Sequence, residues 1–365
     1  SAQPTLKLHN PMPLTAFRHP PLKPGQIDRP HLLWQAGDFL LESGESIRDF
    51  EVSYVTHGTL NSARDNAVLV TISLTGNHHR LDFLIGPGKA LDPERYFIVC
   101  VDPIGNGLSI SPSNSSRQPA SQFPRFTLRD MVRSQHRLLT EVLGITQLHA
   151  IVGASMGGMQ ALQWGVSHPR FMRHIVAMTA MARTAPWAIA VVDAARHALM
   201  ADPAWDGKEF RAYPERGWRA WTGVMSVLAG RTPAALEELF PAPMDVLPWI
   251  EKLAATNRAS GFDALDWIYQ THAYEAHDVG TTKGFDGDWQ RALRNIEART
   301  LLLSPPLDLF NPSQCAAEAA EYIRACELVT IPSLQGHQSA SSTKAEDAGF
   351  LNATVGAFLR RGVQT

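Results

Sequence analysis

The sequence predicts an α/β fold built on a mostly parallel, doubly wound sheet with a helical insertion. Short apolar runs of strand length alternate with segments of helical periodicity up to about residue 183. Residues 184–285 then show helical patterns and six tryptophans, but no strand pattern. Strand patterns resume near residue 300. We therefore expect a core of residues 31–183 and 286–365, with residues 184–285 as a helical lid.

The first third of the chain contains an arm, a hairpin and two central strands. Residues 1–30 hold seven prolines, which predicts an irregular arm over the surface. Residues 39–56 alternate as an antiparallel hairpin does. Continuous apolar runs at 67–73 and 96–101 are typical of strands buried on both faces. This order places the first parallel strands early in the chain.

The remaining elements follow the same patterns. A helix is expected over residues 127–143, with Thr127 as its N-cap. Apolar and β-branched runs predict later strands, and a long amphipathic segment predicts a closing helix. The strands are expected at 148–152, 174–179, 300–304 and 328–332, and the closing helix at 345–361.

Composition excludes some classes of partner. The formal net charge of −2 in 365 residues gives no basis for binding nucleic acid or an anionic membrane surface. No apolar run has transmembrane length, and the first residues lack a signal-peptide pattern. Three cysteines cannot all pair, which suits a reducing cytoplasm. We expect a cytoplasmic protein. Because the chain begins with Ser1, this prediction leaves open whether a leader peptide has been removed.

One short stretch organises the rest of the chain. Gly153-Ala154-Ser155-Met156-Gly157 lies between a predicted strand and a predicted helix. That context makes the G-x-S-x-G pattern a nucleophile elbow, in which a strained serine stands above the sheet at a helix N-terminus. The alternatives are an ordinary glycine-rich turn or a phosphate loop. No Lys-Ser/Thr pair follows the glycines, so a Walker A loop is excluded.

A serine nucleophile needs a base that is oriented by a carboxylate, and in this architecture the chain order is Ser, Asp/Glu, His. Asp308 follows the predicted strand at 300–304, and His337 follows the strand at 328–332. Asp308 could instead cap a turn, and His337 is one of 14 histidines. His78 and His79 are rival bases or substrate contacts, but they precede the serine. We therefore predict the triad Ser155, Asp308 and His337.

An oxyanion hole completes such a site. We assign its donors to the backbone N–H groups of Leu74 and Met156, with Thr75 close by. The cysteines and histidines show no metal-ligand spacing, and no dinucleotide fingerprint occurs. The sequence thus predicts neither a metal site nor a cofactor.

These residues together resemble the homoserine O-acetyltransferase family of α/β-hydrolases. The resemblance is carried by Leu74-Thr75-Gly76 and by the block from Gly153 to Leu162, and extends through 85–92, 127–132 and 262–264. It implies an α/β-hydrolase fold with a helical lid and the same triad positions. It also implies a homodimer that transfers an acyl group, usually acetyl from acetyl-CoA, through an acyl-serine to an amino-acid hydroxyl.

The sequence departs from that family where the acceptor binds. The family's aspartate after the catalytic histidine is replaced by Gln338, and the lid arginine that pairs with the acceptor carboxylate aligns with Thr222. Arg216, Arg219 and Arg231 lie nearby and could serve instead. Buried ion pairs discriminate strongly between substrates, so their loss argues against homoserine itself as acceptor. Thr75, Thr222 and Gln338 are the candidate substrate contacts.

The predicted function is hydrolysis of a short-chain, acetyl-type ester through an acyl-Ser155 intermediate. One alternative is an O-acyltransferase that moves a short acyl group from acyl-CoA to a hydroxyl acceptor. Another is a non-catalytic binding protein on the same scaffold, against which the complete triad argues. The predicted partner is a small molecule, either an acyl ester or acyl-CoA.

Overall fold

A single eight-stranded sheet runs through the computed structural model, which describes residues 19–361. The strands are β1 (Leu32–Leu40), β2 (Ser46–His57), β3 (Ala67–Thr71), β4 (Phe97–Val101), β5 (Leu148–Ala154), β6 (Met172–Met178), β7 (Arg299–Ser304) and β8 (Cys326–Thr330). Their spatial order is β1-β2-β4-β3-β5-β6-β7-β8. Strands β3 to β8 pair in parallel, while β1 and β2 form an antiparallel edge. The predicted fold class is confirmed.

Helices cover both faces of this sheet. The α-helices of the described residues, including those of the insertion, are α1 (Leu128–Arg137), α2 (Met156–Ser167), α3 (Pro186–Met200), α4 (Glu215–Trp221), α5 (Pro233–Leu239), α6 (Val246–Ala259), α7 (Ala264–Glu275), α8 (Trp289–Arg294), α9 (Ser313–Ala320) and α10 (Ala345–Arg360). None of the helices within residues 19–361 is both long and apolar enough to cross a bilayer.

The central strands are apolar throughout because both of their faces are covered. Every residue of β3 and β5 is buried. Side chains of a strand alternate between faces, and Leu69 accordingly belongs to one hydrophobic cluster while Val68 and Val70 belong to the other. The first cluster includes α1 and α2, and the second includes α10. This layering fixes the sheet between two cores.

Most predicted elements are present with small shifts at their ends. Thr127 caps α1 and shares a capping box with Asp130, as its position predicted. The helix then continues as a π-helical turn, Leu138–Val142. The strand predicted at 67–73 ends at Thr71, where the chain leaves the sheet. Residues 19–30 lack regular structure, whereas residues 1–18 of the predicted arm lie outside the described residues.

Six α-helices, α3 to α8, lie between β6 and β7. We call the first five, α3 to α7, together with the π-helical segment between α4 and α5, the inserted helices. A π-helical segment, Thr222–Ala229, continues directly from α4. Three buried tryptophans pack edge to face here, with ring centroids 4.9 Å apart for Trp218 and Trp221 and 5.6 Å for Trp221 and Trp267. Part of the tryptophan content is therefore used to pack these helices together.

Candidate active site

Ser155 occupies a sharp turn between β5 and α2. Its backbone has φ 54° and ψ −125°, a conformation that L-residues rarely adopt. The Ser155 N–H donates to the Met178 carbonyl at 2.8 Å, which ties the turn to β6. The side chain points away from the strand at the N-terminus of α2. This is the strand-turn-helix geometry in which a nucleophile elbow presents its hydroxyl.

The glycines on either side of Ser155 allow β3 and α2 to approach closely. A Cβ on Gly153 would lie 2.3 Å from the Gly157 backbone, and a Cβ on Gly157 would lie 2.3 Å from the Thr71 carbonyl oxygen. The Thr71 hydroxyl donates to the Gly157 carbonyl at 2.6 Å. These contacts involve backbone atoms, so a side chain cannot be accommodated by a rotamer change.

Gly157→Ala is expected to destabilise the protein by about 3 kcal/mol, since the added methyl group forces β3 and α2 apart. The measurement is the free energy of unfolding in urea. Gly349→Ala is the matched control because Gly349 lies within α10 with open space around it. That variant should be neutral or more stable by up to about 1 kcal/mol. Equal effects of the two substitutions would contradict the close approach.

Three side chains from separate segments form one hydrogen-bonded chain. His337 Nε2 lies 2.9 Å from Ser155 Oγ, and His337 Nδ1 lies 2.9 Å from Asp308 Oδ2. Asp308 is buried, whereas the His337 side chain keeps 12% of its surface exposed. Carboxylate, imidazole and hydroxyl are thus aligned as a base and its orienting group require.

The loop after β7 holds the Asp308 carboxylate in place. Its Oδ1 atom accepts hydrogen bonds from the backbone N–H groups of Phe310 at 2.8 Å and Asn311 at 3.0 Å. Asn311 is itself fixed, because its amide donates to the Thr179 carbonyl at 2.7 Å and its oxygen accepts from the Tyr274 hydroxyl. Burial and the nearby Asp308 charge raise the pKa of Tyr274 well above its usual value, so the phenol remains a donor.

Ser155 and His337 open into a cavity of about 340 Å³, which we call the serine cavity. Leu74, Thr75 and Gln338, all singled out from the sequence, line it. Thr75 has φ 62°, and its hydroxyl donates to the Leu74 carbonyl. Met156 is the first residue of α2, where a backbone N–H has no acceptor within its own helix.

Sequence analysis missed several residues that line this cavity. Trp221, Met225 and Ser226 come from the inserted helices, and Phe310 packs edge to face on His337 at 4.9 Å. Arg80 also lines the cavity and places a guanidinium in its wall. The guanidinium donates hydrogen bonds to Ser73 Oγ at 3.0 Å and to the Ala340 carbonyl at 2.8 Å. Burial lowers the pKa of Arg80 to about 10, so it is still charged at neutral pH.

Thr222 does not line the serine cavity, contrary to its assignment as a substrate contact. It is fully buried within the inserted helices. Its hydroxyl donates to the Trp218 carbonyl at 2.9 Å and accepts from Asn257 at 3.0 Å. Thr222 is the first residue of the π-helical segment that continues from α4. The rival bases are also elsewhere, since His78 pairs with Asp102 and His79 with Asp82.

Known proteins share this architecture. A family model for the α/β-hydrolase fold matches residues 72–266. The homoserine O-acetyltransferase of Symbiobacterium thermophilum is 32% identical over 82% of this chain and 87% of its own length. That of Methanococcoides burtonii is 31% identical over 76% of this chain, which spans only 62% of that relative.

Two solved structures extend the comparison. An acetylester hydrolase from Corynebacterium glutamicum has a TM-score of 0.84 at 27% identity, covering 90% of this chain and 96% of its own. The homoserine O-acetyltransferase from Bacillus anthracis has a TM-score of 0.80 at 26% identity, covering 92% and 98%. With this fold and these relatives, the chain belongs to the homoserine O-acetyltransferase family of α/β-hydrolases.

Proposed function

We propose that this protein hydrolyses short-chain, acetyl-type esters through a covalent acyl-Ser155 intermediate. The observation that carries the proposal is the hydrogen-bonded chain from Asp308 through His337 to Ser155, which opens into the serine cavity. A volume of about 340 Å³ suits a small ester. The inserted helices act as the lid in this proposal, because they contribute Trp221, Met225 and Ser226 to the cavity wall.

The first half-reaction acylates the serine. Ser155 Oγ attacks the ester carbonyl carbon while its proton passes to His337 Nε2. Asp308 holds the imidazole by its Nδ1 hydrogen and stabilises the imidazolium that forms. The tetrahedral intermediate then collapses, the carbon–oxygen bond to the alcohol breaks, and the alcohol leaves with the proton from His337.

The second half-reaction releases the acid. Water attacks the acyl carbonyl as His337 takes one of its protons, and the proton returns to Ser155 Oγ when the acyl bond breaks. In both steps the backbone N–H groups of Leu74 and Met156 are the proposed donors to the oxyanion. Met156 adds the positive end of α2, which favours negative charge at that point.

The wall of the serine cavity favours water over an amino-acid acceptor. Within the described residues, neither Asp nor Glu lines it. Gln338 is neutral, and the hydroxyl of Thr222 is engaged inside the inserted helices. An ammonium group would therefore be desolvated without a counter-charge, which is costly.

Acyl transfer to a hydroxyl acceptor is the second candidate. Arg80 is the observation that favours it, because a guanidinium beside Ser155 can hold a carboxylate or phosphate in bidentate fashion. Such an anion would belong to the acceptor or to an acyl donor such as acyl-CoA. The homoserine O-acetyltransferase relatives agree with this candidate.

The two candidate functions differ in the molecule that accepts the acyl group from Ser155, which is water in hydrolysis and a hydroxyl compound in transfer. Purified protein would be mixed with p-nitrophenyl acetate, with and without a panel of hydroxyl acceptors, and separately with acetyl-CoA. We expect steady release of p-nitrophenol without acceptor and equal amounts of acetate. A burst that stalls until an acceptor is added, with the acetylated acceptor as product, would replace hydrolysis by transfer. If the protein produces neither steady p-nitrophenol release nor an acetylated acceptor, the proposed function is wrong.

A further inference from the structure

We propose that His19, His31, His78 and His79 form a binding site for a divalent transition-metal ion of the Zn²⁺ type. The four rings gather beside the loop that follows β3. One ring nitrogen each of His19, His31 and His78 lies within 4.8 Å of the others, and His79 Nε2 lies 3.1 Å from His19 Nε2. This proposal does not depend on the function proposed for Ser155.

In three of the rings, a hydrogen bond at Nδ1 determines the state of the Nε2 atom. His19 Nδ1 lies 2.6 Å from the Pro20 carbonyl oxygen, which can only accept, so this nitrogen carries the hydrogen. His79 Nδ1 is 2.6 Å from Asp82, and His78 Nδ1 is 3.0 Å from Asp102. In each neutral ring the Nε2 atom therefore presents a lone pair.

When the rings are neutral and carry their hydrogen on Nδ1, no hydrogen lies between the Nε2 atoms of His19 and His79. The Nε2 atoms of His19 and His79 face each other at 3.1 Å, which is repulsive when both are unprotonated. His78 Nε2 is buried without a hydrogen-bond partner, on a side chain only 1% exposed. A cation held by His19, His31 and His78 would satisfy this nitrogen, and His79 Nε2 joins the group through its 3.1 Å contact with His19. The competing explanation is a proton shared between rings.

The second layer of contacts matches that of a histidine metal site. Histidine ligands usually donate their other N–H to a carboxylate, which fixes the ring and raises its basicity. Asp102 does so for His78 and also accepts from Ser53 at 2.8 Å and Asn106 at 3.0 Å. Asp82 does so for His79 and accepts from the Ile27 backbone at 2.9 Å. Both carboxylates are buried.

The ligand set selects the class of metal. Neutral imidazoles suit Zn²⁺, Cu²⁺, Ni²⁺ and Fe²⁺ rather than Mg²⁺ or Ca²⁺. Two nitrogens on one tetrahedral Zn²⁺ are about 3.4 Å apart, given Zn–N bonds of about 2.0–2.1 Å. The 3.1 Å between the Nε2 atoms of His19 and His79 is close to this spacing. The nitrogens of His19, His31 and His78 are up to 4.8 Å apart, so some of these rings would have to move closer together to bind one ion. In this proposal the inward movement falls to His19 and His31, whose segment forms neither helix nor strand.

The metal would join two parts of the chain that are distant in sequence. His19 and His31 precede β1, while His78 and His79 belong to the loop that carries Leu74 and Thr75. A second cavity of about 620 Å³, lined by His19 and His79, offers an entry path. The prediction of no metal site rested on the spacing of cysteines and histidines along the chain. That spacing carries no signal here because the four histidines come from separate segments.

The test uses full-length, tag-free protein that has been treated with chelator and dialysed. Zn²⁺ is titrated in competition with a chromophoric indicator, and Co²⁺ binding is followed by visible absorption. We expect one tightly bound ion per chain and the absorption bands of a nitrogen-ligated tetrahedral Co²⁺. His19→Asn and His31→Asn should each weaken Zn²⁺ binding by at least about tenfold. Both positions lie outside the sheet, and circular dichroism would verify the fold.

His197→Asn is the matched control, since His197 is exposed on α3, away from the cluster. It should bind Zn²⁺ as the unmodified protein does. Failure of the unmodified protein to bind an equivalent of either ion would overturn the site and leave the shared proton as the explanation. The site would also be overturned if His19→Asn and His31→Asn both bound Zn²⁺ as tightly as the unmodified protein does.

Discussion

Ser155→Ala should lower kcat for p-nitrophenyl acetate by at least about 10⁴-fold, because removal of the nucleophile of a triad leaves only background assistance from the oxyanion hole. The hydroxyl at position 155 is the atom that lies 2.9 Å from His337 Nε2. Intact-mass measurement during turnover should also detect an acyl adduct on the unmodified protein and none on the variant. The backbone strain at residue 155 is unaffected, because alanine and serine share the same φ preference.

Ser341→Ala is the control for this measurement. Ser341 also lines the serine cavity, but its hydroxyl donates to the Gln338 carbonyl and has no contact with the triad among the hydrogen bonds of the described residues. Its kcat should stay within a few-fold of the unmodified protein. A Ser155→Ala protein that folds and keeps full activity would refute the nucleophile assignment and the mechanism built on it.

Asp308→Asn should lower kcat by about 10⁴-fold while changing KM little. The asparagine amide fits the same volume, but it can present an N–H group toward His337 Nδ1, which stabilises the wrong tautomer of the ring. Nε2 then carries a hydrogen and cannot accept the proton of Ser155. The measurement is kcat and KM for p-nitrophenyl acetate, with circular dichroism to verify the fold.

Asp347→Asn separates this effect from the general cost of altering a buried carboxylate. Asp347 is also buried and accepts a hydrogen bond from Ser333 at 2.8 Å, in the segment that leads to His337. Its kcat should stay within a few-fold of the unmodified value. Comparable losses of kcat in the two variants would indicate a structural disturbance and remove the support for Asp308 as the orienting group.

Arg80 bears on the identity of the substrate. It lines both the serine cavity and the larger cavity beside the histidines. A substrate with an anionic group would place that group against the guanidinium, whereas a neutral ester would leave it bonded to Ser73 and Ala340 only. Comparison of neutral and anionic acyl esters in the assay above is therefore informative for both proposed candidates.

The elements around Ser155 could be predicted because their signals are local. A buried parallel strand, a glycine-bounded serine and a helix follow one another within 20 residues. The positions of Asp308 and His337 could also be inferred, since the carboxyl ends of parallel strands meet at one edge of a sheet. The structure brings these residues within hydrogen-bond distance of one another.

Contacts between distant segments could not be predicted in this way. Thr222 aligned with a substrate-binding position, but it is buried and its hydroxyl is bonded to Trp218 and Asn257 within the inserted helices. Arg80 gave no signal in the sequence, because its place beside Ser155 depends on the path of the loop after β3. Periodicity shows which face of a segment is buried, but not which side chains of another segment meet it.

The sequence by itself determined the fold class, the strand, turn and helix around Ser155, and the chain order of Ser155, Asp308 and His337. These features follow from local propensity and from the requirement that parallel strands be buried on both faces. Only the tertiary structure decided the shape of the serine cavity, the burial of Thr222 and the gathering of four histidines. Those features depend on the packing of segments far apart in the chain, which no local pattern encodes.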